Sequence, residues 1–246
     1  GACGGDVAAA AAVHGLAMAG GMVSHTGVGG LALGGGIGWL SRRLGLVCDA
    51  LCGADLVTST GRVRTLDETD GDDAEGTELL WGLRGAGAQL GAAASLSFRL
   101  EPLGELLAHT LHFAVGGEER ALALLQAYTA VAGAAGARQT IYAFVESTRL
   151  TLIAVQSAAG GAEAATADGA AEMHEWLSPL VALRPAHASM ESVAYPTLNA
   201  RFDHGNRGGR RYYWSSSFVS PSAAMWAAVL RALRAAPPRT SVEVMH

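Results

Sequence analysis

The pattern of apolar and polar positions changes in character about two fifths of the way along the chain. In the first part the periodic stretches are short. Residues 5–15, GDVAAAAAVHG, read as a helix with Asp6 near its positive end and Gly15 as its stop. WLSRRLG at 39–45 has the spacing of one helical turn. Leu56–Thr58 and Val63–Thr65 flank Ser59-Thr60-Gly61, the signature of a hairpin with a three-residue turn. The helical LLWGLR and the strand-like LSFRL enclose a Gly/Ala-rich turn at 85–95, and Pro102 with Gly104 marks a boundary.

Beyond that boundary the periods lengthen. Leu106–Val115 and Gln139–Gln156 alternate like antiparallel strands, whereas 117–132 and 161–177 carry the helical period. Arg211–Val219 reads as a strand, Pro221–Ala235 as a helix capped by Ser220, and Thr240–Met245 as a last strand. Strands and helices recurring in this way predict an α+β layer, an antiparallel sheet with helices on one face. The expected domains are 1–103 and 104–246.

Composition narrows the class. Half of the 246 residues are hydrophobic and 16% are charged, which suits a packed globular chain. A net charge of −5 argues against nucleic acid or an anionic membrane surface as partner. Cys3, Cys48 and Cys52 are too few for a disulfide framework, and a lone C-x3-C pair falls short of a zinc site, so free thiols are expected. Neither a secretory signal nor an apolar run of membrane length is visible, and a cytoplasmic location is the default. The seven acidic side chains between 67 and 78 read as a solvated loop without the alternation of a calcium loop. The chain opens inside a Gly-rich turn and ends on the alternating SVEVM, so it is expected to be part of a longer protein.

The most informative segment has no period at all. Gly27–Gly38 reads GVGGLALGGGIG, seven glycines in twelve residues with only aliphatic residues between them. A flexible linker would be Ser-rich and polar. This segment offers bare backbone that a large ligand can approach closely, and a ligand-hugging loop is the better reading. It lacks the strand, helix and distal acid of a Rossmann fingerprint.

In its context, HGLAMAGGMVSHTGVGGLALGGGIGWLSRRLGLVCDAL, the loop resembles that of FAD-linked oxidases with the vanillyl-alcohol-oxidase (PCMH) type flavin domain, especially the berberine-bridge-enzyme-like oxidoreductases. The resemblance continues through VTSTGRVRTL, LLWGLRGAGAQLG, SLSFRLEPLG and YPTLNARFDHGNRGGRRYYWSSSFV. It implies the second half of a PCMH-type FAD-binding domain followed by a substrate domain, with the first flavin subdomain and a C-terminal motif lying outside this chain. It implies FAD as cofactor, an organic alcohol, sugar or alkaloid-like substrate, and oxygen as electron acceptor.

Carried over by position, Val23, Ser24, Thr26, Gly27, Val28, Gly29, Gly30 and Leu31 would lie along the flavin ring and ribityl. Gly34, Gly35, Gly36 and Gly38 would offer N–H groups to the pyrophosphate, and Gly91 and Ala92 would form a second turn along the cofactor. Val23 stands where doubly linked relatives carry a cysteine, so no thioether link is expected. Thr26 stands at the position that gates oxygen, and its size favours oxidase chemistry. His25 reads as a structural histidine bonded to backbone. Tyr213 and Trp214 are candidates for substrate contact, and Tyr195, Asp203 and His204 read as loop residues. The alternative is a non-catalytic remnant that keeps the fold without the cofactor.

Overall fold

A computed structural model describes residues 1–209, 213, 215–237 and 240–245, the side chain of Ala88 excepted. The chain divides into two compact units. One comprises Gly1–Gly104, Ala159–Ala162 and Ala194–Gly208; the other comprises Glu105–Ala158, Glu163–Val193 and Gly209–His246.

The first unit opens with α1 (Gly4–Ala12), whose Asp6 carboxylate accepts the Cys3 N–H at 2.8 Å and so caps the helix start. β1 (Leu16–Ala17) and the glycine segment follow. That segment is not the continuous loop expected: Val28–Leu33 coil into a short helix, α2, before the chain turns through α3 (Ser41–Leu44). Alanine and leucine between the glycines supply the inward stripe, and Val28 and Ala32 are buried beside Met18, Ala19 and Val47. β2 (Leu51–Val57) and β3 (Val63–Asp67) form the expected hairpin, closed at Gly61, whose φ is 78°.

The acidic stretch is more ordered than its charge suggested. Asp73 caps α4 (Ala74–Ala86) by accepting the Gly76 N–H at 2.9 Å, and it pairs with Arg64 at 2.8 Å. Glu68 draws Arg84 and Arg99 together. Anions at a helix start and opposite arginines explain why the run folds instead of repelling itself. β4 (Ala92–Phe98) completes a sheet of order β3-β2-β4, and β5 (Glu101–Pro102) pairs with β1. Leu51, Leu56, Leu66, Leu80 and Leu83 form the core between sheet and α4.

The second unit begins with β6 (Leu106–Ala114) and continues through α5 (Glu118–Gly133), β7 (Gln139–Val145), β8 (Arg149–Gln156), α6 (Ala167–Val181) and β9 (His187–Val193). The chain then returns to the first unit as α7 (Tyr195–Asn199). It re-enters the second with α8 (Ala223–Ala235), capped by Ser222 instead of the expected Ser220, and ends with β10 (Val242–Val244). The strands form one antiparallel sheet of order β10-β7-β8-β6-β9. Leu107, Leu111 and Phe113 of β6 meet Leu124, Leu125 and Tyr128 of α5, and Trp226 of α8 packs edge-on against Tyr128. The α+β prediction, helices on one face of an antiparallel sheet, describes this unit. No strand includes Tyr213 or residues 215–219, contrary to expectation.

Candidate functional site

The glycine segment and its neighbours are built around α1. The Gly4 and Gly5 amides, left without helical acceptors at the start of α1, donate to the carbonyls of Thr26 and Ser24 at 2.9 and 2.7 Å. Val28 N–H donates to the Ala2 carbonyl, and Val23 and Thr26 close a turn through a 3.2 Å bond. The turn at 22–27 contains no buried residue.

Sterics sort the glycines into two kinds. A Cβ at Gly38 would lie 1.6 Å from the Gly20 carbonyl oxygen, and one at Gly36 would lie 2.8 Å from Val47. The fold itself demands glycine there. At Gly91 the demand comes from the sheet, because a Cβ would sit 2.4 Å from the Val57 carbonyl as Ala92 enters β4. Gly27 and Gly30 are different: they are exposed, and a Cβ on either meets nothing within 4 Å. At Gly29 the nearest atom would be a Leu96 methyl carbon at 3.9 Å. Internal packing gives no reason for glycine at these three positions. They form a strip of bare backbone open to a ligand, so these residues fit a flat, extended cofactor laid against them.

Three of the four amides expected to meet pyrophosphate are engaged within the fold. Gly34 N–H donates to Leu31, Gly35 N–H to Ala32, and Gly38 N–H to the Ser41 hydroxyl at 2.9 Å. The turn that ends α2 takes up the Gly34 and Gly35 donors, Ser41 at the start of α3 takes up that of Gly38, and the Leu31 amide goes to Gly27 within α2. The groups a short helix leaves without internal carbonyls belong to its first turn, at Gly29 and Gly30.

Sequence reasoning missed the partners of this turn. Asp203, read as a loop residue, accepts both the Ser24 N–H at 2.8 Å and the Ser24 hydroxyl at 2.5 Å. His25 bonds through Nε2 to the Asn206 carbonyl at 2.7 Å, the structural role expected of it. Tyr195 reaches the Gly20 amide, and Phe202 stacks on Trp39 with centroids 5.6 Å apart. The residues 194–208, expected inside a domain running from 104 to 246, thus belong to the first unit because Tyr195, Leu198 and Asn199 are buried in it. Tyr213 is 94% exposed, and Trp214 lies outside the described residues. Among the described residues no cluster of three metal-ligating side chains occurs, and no helix is long and apolar enough to cross a membrane.

Comparison with known proteins agrees with this geometry. Residues 1–67 match the family model of an FAD binding domain. An FAD-linked oxidoreductase of Dictyostelium discoideum is 38% identical over 124 residues, half of this chain and 26% of that protein. The (R)-6-hydroxynicotine oxidase of Paenarthrobacter nicotinovorans is 41% identical over 99 residues, 40% of this chain and 20% of that enzyme. Among solved structures, the 6-hydroxy-D-nicotine oxidase of Arthrobacter nicotinovorans superposes with a TM-score of 0.69 at 26% identity, over 85% of this chain and 44% of that one. The fold is that of vanillyl-alcohol-oxidase-type flavoprotein structures. Residues 1–67 thus match an FAD binding domain, and the chain spans about a quarter of the length of the first curated relative.

Proposed function

We propose that this chain forms part of an FAD-dependent oxidase, with its glycine strip as one wall of the cofactor site. The observation that carries this reading is the bare backbone at Gly27, Gly29 and Gly30, where no internal contact requires glycine. A side chain at any of the three would occupy the space a ligand needs. Leu31, half-buried next to the strip, adds apolar surface, and Val23, Ser24 and Thr26 form the turn beside it.

Bound FAD would supply a ring able to accept a hydride from the substrate. The chain's own share is to hold and orient that ring by backbone contact. Val23 has no thiol, so this turn offers no covalent sulfur link. Thr26 leaves the small volume that favours oxygen as the electron acceptor, and the names of the relatives support a sugar or alkaloid-like substrate.

The test is the protein expressed from its complete gene. It should purify yellow with FAD bound, bleach when a hydroxynicotine or an oligosaccharide is added without air, and regain colour when air is admitted. A colourless product that takes up no added FAD would overturn the proposal in favour of a non-catalytic remnant.

A further inference from the structure

The turn at 22–27 stands against the bare glycine strip yet has no apolar anchor of its own, since none of its residues is buried. Such a segment loses conformational entropy on ordering without hydrophobic burial to offset it, so its position depends on polar contacts. On one side these come from the Gly4 and Gly5 amides of α1. On the other side they come from a part of the chain some 180 residues downstream. Both oxygens of Asp203 are engaged by Ser24, one by its amide and one by its hydroxyl. The Asn206 carbonyl holds His25 Nε2, and His25 Nδ1 lies 3.6 Å from the Asp203 carboxylate. Two-point hydrogen bonding to an ionised carboxylate fixes direction as well as distance, which a single bond would not do.

We propose that residues 195–206 are a clamp on the cofactor loop, with Asp203 as its positioning residue: its carboxylate sets the Ser24–Thr26 turn at the distance the flavin requires. The inference rests on the flavin reading and adds to it a residue that touches neither cofactor nor substrate. It also orders assembly. The cofactor wall is complete only when the segment after β9 has docked, so a chain ending before Tyr195 would present the glycine strip beside an untethered turn.

The experiment uses the full-length protein and its Asp203→Ala, Asp203→Asn and Ser24→Ala variants, each without cofactor and loaded with FAD. Hydrogen exchange at residues 20–31 reports the clamp, and fluorescence titration with FAD reports the site. Asp203→Ala should speed exchange at Ser24 at least ~10-fold, weaken FAD about 10-fold and blur the fine structure of the bound flavin's visible band. Asp203→Asn should recover much of this, because an amide oxygen still accepts the Ser24 N–H while its NH2 donates to the hydroxyl. Ser24→Ala, which keeps the carboxylate, should give a smaller change in the same direction and serves if Asp203→Ala does not fold. Unchanged exchange in Asp203→Ala overturns the clamp. Faster exchange with unchanged FAD affinity and spectrum overturns its positioning role. A wild-type protein that takes up no FAD overturns the flavin reading instead, and the exchange comparison then decides the clamp by itself.

Discussion

The Tyr195 hydroxyl oxygen lies 3.0 Å from the Gly20 amide nitrogen and accepts its hydrogen bond across 175 residues of sequence. Both groups are buried. Burial pushes the phenol up to about 12, against the opposing pull of the Gly20 N–H, so the oxygen accepts as a neutral hydroxyl at any physiological pH. Tyr195→Phe keeps the ring and strands the Gly20 amide. The expected loss is about 1–3 kcal/mol, the cost of a buried donor left unpaired. A urea titration should show a lower midpoint with an unchanged slope, and an unmoved midpoint would mean that water replaces the phenol.

The two kinds of glycine predict opposite phenotypes for the same substitution. Gly38→Ala places a carbon inside the Gly20 carbonyl, and the chain should lose its cooperative transition. Gly30→Ala meets nothing and sits in the helix Val28–Leu33, where alanine is favoured by roughly 0.5–1 kcal/mol. It should melt at or above the wild-type temperature while binding FAD more weakly. Calorimetry alongside an FAD titration separates the two effects, and a Gly30→Ala protein with undiminished FAD affinity would remove the reason for bare backbone at that position.

The sequence carried the sheet-and-helix layer of the second unit because Leu107, Leu111 and Phe113 alternate while Leu124, Leu125 and Tyr128 follow the helical period. It carried the hairpin because Gly61 closes it. It did not carry α2, because glycine propensity argues against a helix and only burial of Val28 and Ala32 overrides it. Nor did it carry the Asp203–Ser24 clamp. Nothing local marks a polar pair so distant in sequence, and an aspartate in a glycine-rich stretch reads as a turn. The acidic run was legible only in part: 68–72 stay an exposed turn, but the sequence did not mark its partners Arg64 of β3, Arg84 of α4 and Arg99 just after β4.

Glu243 lies on the last strand between Val242 and Val244, which face the helices, so it occupies the opposite face of the sheet. Burial raises its carboxyl above the ordinary value of 4.5. The folded chain therefore holds that proton more tightly than the unfolded chain, and stability falls as pH rises from about 4.5 through the raised value. At neutral pH the half-buried carboxylate is a cost. Glu243→Gln removes it, so the variant should exceed wild type in urea midpoint at pH 7, with the difference closing toward pH 4. A variant equal to wild type at both values would show the carboxylate to be well solvated.

Histidine gives the opposite slope. His109 is 4% exposed on β6, with its Nδ1 unpartnered among the described residues and its ring 5.9 Å from that of His174 on α6. Burial, and secondarily the neighbouring His174, lowers its affinity for a proton below the ordinary 6.5. His112 is lowered in the same direction by burial, by His187 stacked at 5.7 Å and by Arg149. The unfolded chain binds these protons first, so stability is fully present above about pH 6.5 and declines on acidification below it. His109→Phe keeps an aromatic ring in the core and has no proton to gain. Between about pH 5.5 and 7.5, in a Glu243→Gln background that removes the raised carboxyl, the urea midpoint should drop on the acid side. His109→Phe should drop less, and a His109→Phe, His112→Gln double variant should be nearly flat. A single variant with the full slope of that background would assign the acid sensitivity to other groups.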